Sequence, residues 1–284
     1  MNANIESGLI SAIDGVALGL YGLSWVVFLR AFIVGRQEPT RATVATLWAA
    51  FAVHSAALAA RWFSAGHVPI IGTYGAMSFI AWSAALCFIF LQSHLRSSSL
   101  GVFILPFVII FAGTAWAFIG IKKVDEELAA RIQEQGMLFA AHMATALFSY
   151  SCFAIAFAGG LMYVLQDREI HGKHMGFFFR RMPSLDKIDK INTHAMGLGL
   201  ISLGVGIVSG AAGLAAAHAA LAGGDMAKII TAVIVWLAYA ASLTMIMEGG
   251  WRGRRGAIAS IACFCMVFVL YFVVLQFAHW HGIR

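Results

Sequence analysis

LGVFILPFVIIFAGTAWAFIGI, residues 100–121, carries no charged side chain. As a helix rising about 1.5 Å per residue it is long enough to cross the roughly 30 Å hydrocarbon core of a bilayer. Outward from it, seven more apolar stretches of similar length follow the same pattern, at about 8–34, 42–65, 73–93, 137–165, 192–218, 227–247 and 257–280, separated by short polar loops. In lipid the backbone has to satisfy its own hydrogen bonds, so all eight are expected to be helices. The fold class read from the chain is an all-α polytopic membrane bundle, with residues 1–284 forming a single integral-membrane domain.

Composition agrees. Hydrophobic residues make up 61% of the 284 and charged residues 11%, with a mean hydropathy of +0.85, which leaves too little polar surface to cover a soluble globule. The first span has no basic leader and no small-residue cleavage site, so it is expected to be retained. Asp14, inside that span, is expected near a water interface.

Lys and Arg are unevenly shared between the two sets of loops. One set, led by Arg30, Arg36, Arg41, Arg96 and the run from Arg168 to Lys190, holds 13, and the other holds 6. Positive residues stay on the cytoplasmic side, which places both termini outside. The net charge of +6 is thereby read as topology and contact with anionic membrane lipid, not as a nucleic-acid surface.

Two loops are long enough to hold structure. The inner one, 166–191, combines Phe177, Phe178 and Phe179 with flanking bases, as in a segment lying among headgroups or an aromatic-anchored connector. Within it, Ser184-Leu-Asp-Lys has the composition of a capped helix start. The outer one, 122–136, has the mixed charge of a short surface helix.

Cys87, Cys152, Cys263 and Cys265 all fall inside spans and are expected to be core residues. There is no CxxCH, phosphate-binding glycine loop, HExxH or arguable Ser/His/Asp spacing. The chain is accordingly expected to have no catalytic activity of its own.

The histidines are more informative. Helical depth puts His54 near the middle of the second span and His142 at the outer start of the fifth. His279 and His281 fall at the outer end of the eighth, and His67 and His218 on the same side. Two histidines at one depth on different helices can supply both axial ligands of a haem iron, and intramembrane ionisable groups point to function. For His54, a ligand role and a helix–helix hydrogen bond remain equally open. His67, His218, His281, His94, His171, His174 and His194 are read as bonding to water or backbone. In the sixth span, Gly197, Gly199, Gly204, Gly206, Gly210 and Gly213 allow close helix approach, by another span or by a partner subunit.

Three blocks resemble the CcsA/HemX-type cytochrome c assembly family: RWFSAGHVPIIGTYGAMSFIAW (61–82), residues 142–170 with FRRMPSLDKIDKIN (179–192), and WLAYAASLTMIMEGGWRGRRGA (236–257). The resemblance implies an integral-membrane, haem-handling protein of system II cytochrome c maturation in a bacterial-type inner membrane. It implies non-covalent haem b held at the outer face by His142 and His279, and His54 as a ligand within the membrane. Apocytochrome c or subunits of a membrane redox complex become the expected partners, besides lipid.

Departures from the pattern refine this. Thr244 stands where the family has a second membrane histidine, and Gly75 where it has a glutamate. The tryptophan-rich outer segment corresponds to residues 210–230, which contain no Trp. Without that aromatic platform, haem handling is expected without full synthase activity. Two alternatives stand beside it: a haem-containing or scaffolding subunit of a quinone-linked electron-transfer complex, and a HemX-like regulator of tetrapyrrole synthesis acting through the basic inner loop.

Overall fold

A computed structural model of the protein describes residues 3–65, 68–118, 126–173, 176–216, 223–248 and 250–280. Its side chains are described over 8–64, 68–118, 138–173, 176–215, 226, 228–248 and 250–270. Eight helices follow in order: α1 (Ala3–Ile33), α2 (Arg41–Ala65), α3 (Gly72–Leu95), α4 (Ser98–Ala117), α5 (Glu126–His171), α6 (Leu185–Ala216), α7 (Gly223–Met247) and α8 (Arg254–Trp280). There is no strand among the described residues. The first seven are each long and apolar enough to cross a membrane, and α8, 27 residues long, is apolar from Ala257 onward. The protein is a multi-pass helical membrane protein.

The eight expected spans correspond to the eight helices, and the largest difference is in α5. It runs unbroken for 46 residues, taking in most of the outer segment and the first part of the inner loop. Both extensions, EELAARIQEQG and QDREIH, are rich in helix formers and contain no proline, so nothing in them interrupts the hydrogen-bond ladder.

The chain divides into two compact units, residues 1–134 with 172–183, and residues 135–171 with 184–284. In the first, α1 packs on α2 and α4, and α3 packs on α4 and α2. Phe28 of α1 lies on Gly101 of α4, where an added Cβ would sit 2.5 Å from the ring, and its edge meets Phe88 of α3. The missing side chain at 101 is what lets an aromatic fill the centre of the bundle.

α1 ends in a Schellman turn: Gly35 has φ +82°, Arg36 N–H donates to Ala31 O and Gly35 N–H to Phe32 O. The strap 172–183 closes on this turn. Arg181 donates from Nε to Phe32 O (2.9 Å) and from Nη2 to Ile33 O (3.1 Å), satisfying carbonyls that a helix end leaves open. Phe177 and Phe178 pack against Phe32. The basic aromatic segment, expected either among headgroups or as an aromatic-anchored connector, is thus fastened to protein, with Phe177 keeping 42% of its surface exposed.

In the second unit the glycines of α6 are docking positions for two neighbouring helices. Added Cβ atoms at Gly199, Gly206 and Gly210 would meet Phe153, Ala146 and His142 of α5, in steps of seven and four on both antiparallel helices. Gly204 receives Trp236 of α7, whose Nε1–H donates to Leu200 O. Further along α5, Phe153 stacks on Tyr239 of α7 at 3.7 Å, and Gly160 touches Ser260 and Ala257 of α8. The opposite face of α6 leaves Leu198, Ile201, Val205 and Val208 exposed at helical spacing, as a lipid-facing stripe requires.

α6 begins at Leu185, where the Ser184-Leu-Asp-Lys composition predicts a helix start: the Ser184 backbone oxygen accepts from Lys187 N and Ile188 N, and Asp186 pairs with Lys190 at 2.7 Å. One cysteine departs from expectation. Cys152 and Cys263 are buried and Cys87 is half-buried, but Cys265 is exposed, because on a helix a residue two places from a buried one faces about 200° away.

Candidate functional site

His142 sits in α5 of the second unit, one position in the α5–α6 seam. Its Nδ1 lies 2.7 Å from the backbone oxygen of Gly206, and its ring occupies the space over Gly210, where a Cβ would come within 2.6 Å of Nδ1. A carbonyl oxygen can only accept, so Nδ1 of the neutral ring carries the proton and Nε2 keeps its lone pair. A ring nitrogen donating to a backbone carbonyl while the other stays basic is the arrangement metal-ligating histidines use, because it fixes both tautomer and ring orientation. The two glycines the sequence offered as packing residues therefore also seat this imidazole.

His279 lies in the last turns of α8, and its side chain is outside the described residues. His67, His174, His218 and His281 are outside them altogether. Of the other histidines, His94 bonds to Phe90 O and Ser93, and His171 to Asp167, both at exposed positions, while His194 is exposed.

His54 is engaged differently. It is 3% exposed in the first unit, with Nδ1 3.3 Å from Tyr21 Oη and Nε2 3.0 Å from Ser78 Oγ. Both ring nitrogens are hydrogen-bonded, so no lone pair is available to a metal. The cavity it lines with Asp14, Tyr74, Ser78 and Trp116 is about 10 Å3, about the size of one water molecule and far below a haem. Of the two readings the sequence left open for His54, this geometry is that of the helix–helix hydrogen bond, linking α1, α2 and α3.

Asp14, expected near a water interface, is 8% exposed and held inside the same unit. Arg61 Nη2 donates to its Oδ2 at 2.6 Å and Tyr74 Oη at 3.0 Å, while the Arg61 guanidinium lies 3.8 Å above the Tyr74 ring. A carboxylate inside a membrane bundle needs such a partner. The partner comes from another helix, so Asp14's own surroundings in the chain gave no sign of it.

The departures from the family pattern have structural correlates. At Gly75 a Cβ would lie 2.8 Å from Ile70 C and 2.9 Å from Pro69 O, so the loop before α3 folds into the space a glutamate would occupy. Thr244 is exposed and its hydroxyl donates back to Ala240 O. No group of three or more His, Cys, Asp or Glu that could hold a metal occurs among the described residues.

The profile of the family described as cytochrome C assembly protein matches residues 70–281. The chain belongs to that family. Within it, the chain is 26% identical over 252 residues to the cytochrome c biogenesis protein CcsA of Porphyra purpurea, covering 75% of this chain and 77% of that one. It is 24% identical over 262 residues to CcsA of Gloeothece citriformis, covering 76% and 79%. Its match to the protein HemX of Bacillus subtilis is 22% over 267 residues and spans 92% of this chain and 94% of that one. This cytochrome c assembly family member is thus CcsA/HemX-like along most of its length, and the matched region contains both His142 and His279 but not His54.

Proposed function

We propose that this protein handles haem b in cytochrome c maturation at the outer end of its second unit, with His142 and His279 as the axial ligands. The single observation carrying the reading is the His142 Nδ1–Gly206 O hydrogen bond, which presents Nε2 as a ligand lone pair. His142 and His279 would hold the haem, which when bound would supply a redox-active iron and would itself be the group an apocytochrome receives.

Helix register supports the second ligand. Gly160 of α5 touches Ser260 of α8. Counting from that level, His142 lies 18 residues back along α5 and His279 19 residues on along α8, rises of about 27 and about 28 Å. With the helices running in opposite directions, this count supports a common depth for the two histidines. His54 is left out of the proposed haem site, since using it requires its ring to leave Tyr21 and Ser78.

Full synthase activity is not part of the proposal, because residues 210–230 supply no tryptophan on which to present a flat macrocycle. The membrane proposed is a bacterial-type inner membrane, with both termini and the haem on the outer side and apocytochrome c or a redox-complex subunit as partner. The longer match to HemX favours one second reading, a HemX-like regulator of tetrapyrrole synthesis. A reduced-minus-oxidised spectrum of the purified protein separates the two. A b-type spectrum present in the wild type and lost in both His142→Ala and His279→Ala supports haem handling at this pair. A spectrum absent, or unchanged by both substitutions, overturns it.

A further inference from the structure

The end of the first unit at which α1 terminates gathers basic residues from three separate segments, and Gln37 is the node. Its backbone oxygen accepts from Ser98 N at 2.8 Å, and its Nε2 donates to Arg180 O at 3.0 Å. The first contact ties the α1–α2 turn to the α3–α4 turn, two residues from Arg96. The second ties it to the strap, at Arg180 itself, and Arg36 is the node's own neighbour. Arg36, Arg96 and Arg180 are all exposed, and none makes a side-chain ion pair among the described residues. By sequence, residues 30–41, 93–98 and 172–183 contain one carboxylate, Glu38.

Charge alone would satisfy the positive-inside rule without building anything. Two features go further. Arg181 spends its guanidinium on the α1 carbonyls, so the strap is held in place independently of any ligand, and its neighbour Arg180 is presented from a fixed backbone. Beside the arginines, Ile33, Val34 and Phe177 remain 54, 66 and 42% exposed. Forked guanidinium donors next to apolar side chains, at the end of membrane-crossing helices, match the phosphate and the acyl–glycerol boundary of one class of molecule.

We propose that Arg36, Arg96 and Arg180, assembled around Gln37, form a binding site for the headgroup of an anionic phospholipid. The Gln37 bridges set the spacing of the three guanidinium groups, and Ile33, Val34 and Phe177 receive the upper part of the acyl chains. A soluble anion would use the arginines but not the apolar rim.

The test is lipid retention by native mass spectrometry of the full-length protein titrated with phosphatidylglycerol, with phosphatidylcholine and inorganic phosphate as comparison and competitor. The wild type is expected to retain phosphatidylglycerol in preference to phosphatidylcholine, and millimolar phosphate should not displace it. Arg36→Ala/Arg96→Ala/Arg180→Ala should weaken retention about tenfold or more. Gln37→Ala keeps every charge and the main-chain bridge to Ser98 but removes the Nε2 bond that holds Arg180, and should still weaken it severalfold, while Lys187→Ala/Lys190→Ala, which removes two charges from the other unit, should leave it unchanged. Equal losses in the control and the triple variant would reduce the effect to net charge and overturn the proposal. So would full retention in Gln37→Ala, absence of headgroup preference, or displacement by free phosphate.

Discussion

His142 and Gly206 are joined across the α5–α6 seam by a 2.7 Å hydrogen bond, and Gly210, one helical turn further along α6, leaves the space the imidazole fills. The bond and the gap are separable. Gly210→Ala places a methyl 2.6 Å from Nδ1, so the ring has to turn away from the Gly206 carbonyl even though its own residue is untouched. Loss of an outer partner of a metal-ligating histidine lowers affinity by about 10–100-fold. Haem titration of the Gly210→Ala protein should therefore show weaker binding by that order, with gel filtration unchanged. Wild-type affinity would show that His142 does not need this seat to hold iron.

His54 leads to the opposite expectation. Its ring satisfies Tyr21 and Ser78 inside the first unit, so His54→Ala leaves two buried hydroxyls without this partner, at a cost of about 1–3 kcal/mol for each group left unsatisfied. The variant should unfold at lower temperature in detergent while the b-type spectrum keeps its wild-type amplitude per folded protein. A folded His54→Ala protein that loses the spectrum would show that His54 ligates haem in a conformation different from this one.

The contrast between the two histidines shows how much of the molecule can be read from the chain. Helix number and approximate ends follow from hydropathy because in lipid each helix satisfies its own backbone, which makes that information local. The inner end of α5 is hidden because QDREIH is polar and hydropathy stops there, although helix propensity does not; at the outer end the helical composition of 122–136 is legible and only its continuity with the span is not. Family resemblance pointed to His54 and His142 alike. What distinguishes them is which atoms lie within 3.5 Å of each ring nitrogen, and those come from α1 and α3 in one case and from α6 in the other. The glycine spacing in α6 was the legible part of the site. That the same glycines accept an imidazole depends on the antiparallel register of α5, which no local pattern encodes.

Asp14 and Arg61 form a pair whose removal by halves and as a whole should differ. Asp14→Asn leaves the largely buried Arg61 guanidinium without its counter-charge, and breaking such a pair typically costs about 3–5 kcal/mol. Asp14→Leu/Arg61→Met removes both charges and should recover most of that loss. In a double-mutant cycle built from Asp14→Leu, Arg61→Met and their combination, measured by denaturation in mixed micelles, the coupling is expected to be at least as large as one single-variant loss, about 3 kcal/mol or more. Additive effects would mean the two side chains are solvated separately in the membrane-embedded protein.

Gly197 and Gly199, two residues apart on α6, should respond to alanine with opposite signs. At Gly199 a Cβ would stand 2.5 Å from the Phe153 ring, and that ring is already stacked on Tyr239 at 3.7 Å, so its room to shift is limited. Overpacking of this kind costs about 1–3 kcal/mol. At Gly197 the nearest atom is Leu243 Cδ2 at 3.8 Å, an ordinary contact, and replacing glycine inside a helix returns about 0.5–1 kcal/mol. Thermal unfolding of the purified protein should thus rank Gly197→Ala at or above wild type and Gly199→Ala below it. If the order reverses, α5 does not lie against the Gly199 face, and the seat of His142, built on the same face seven and eleven residues further along, goes with it.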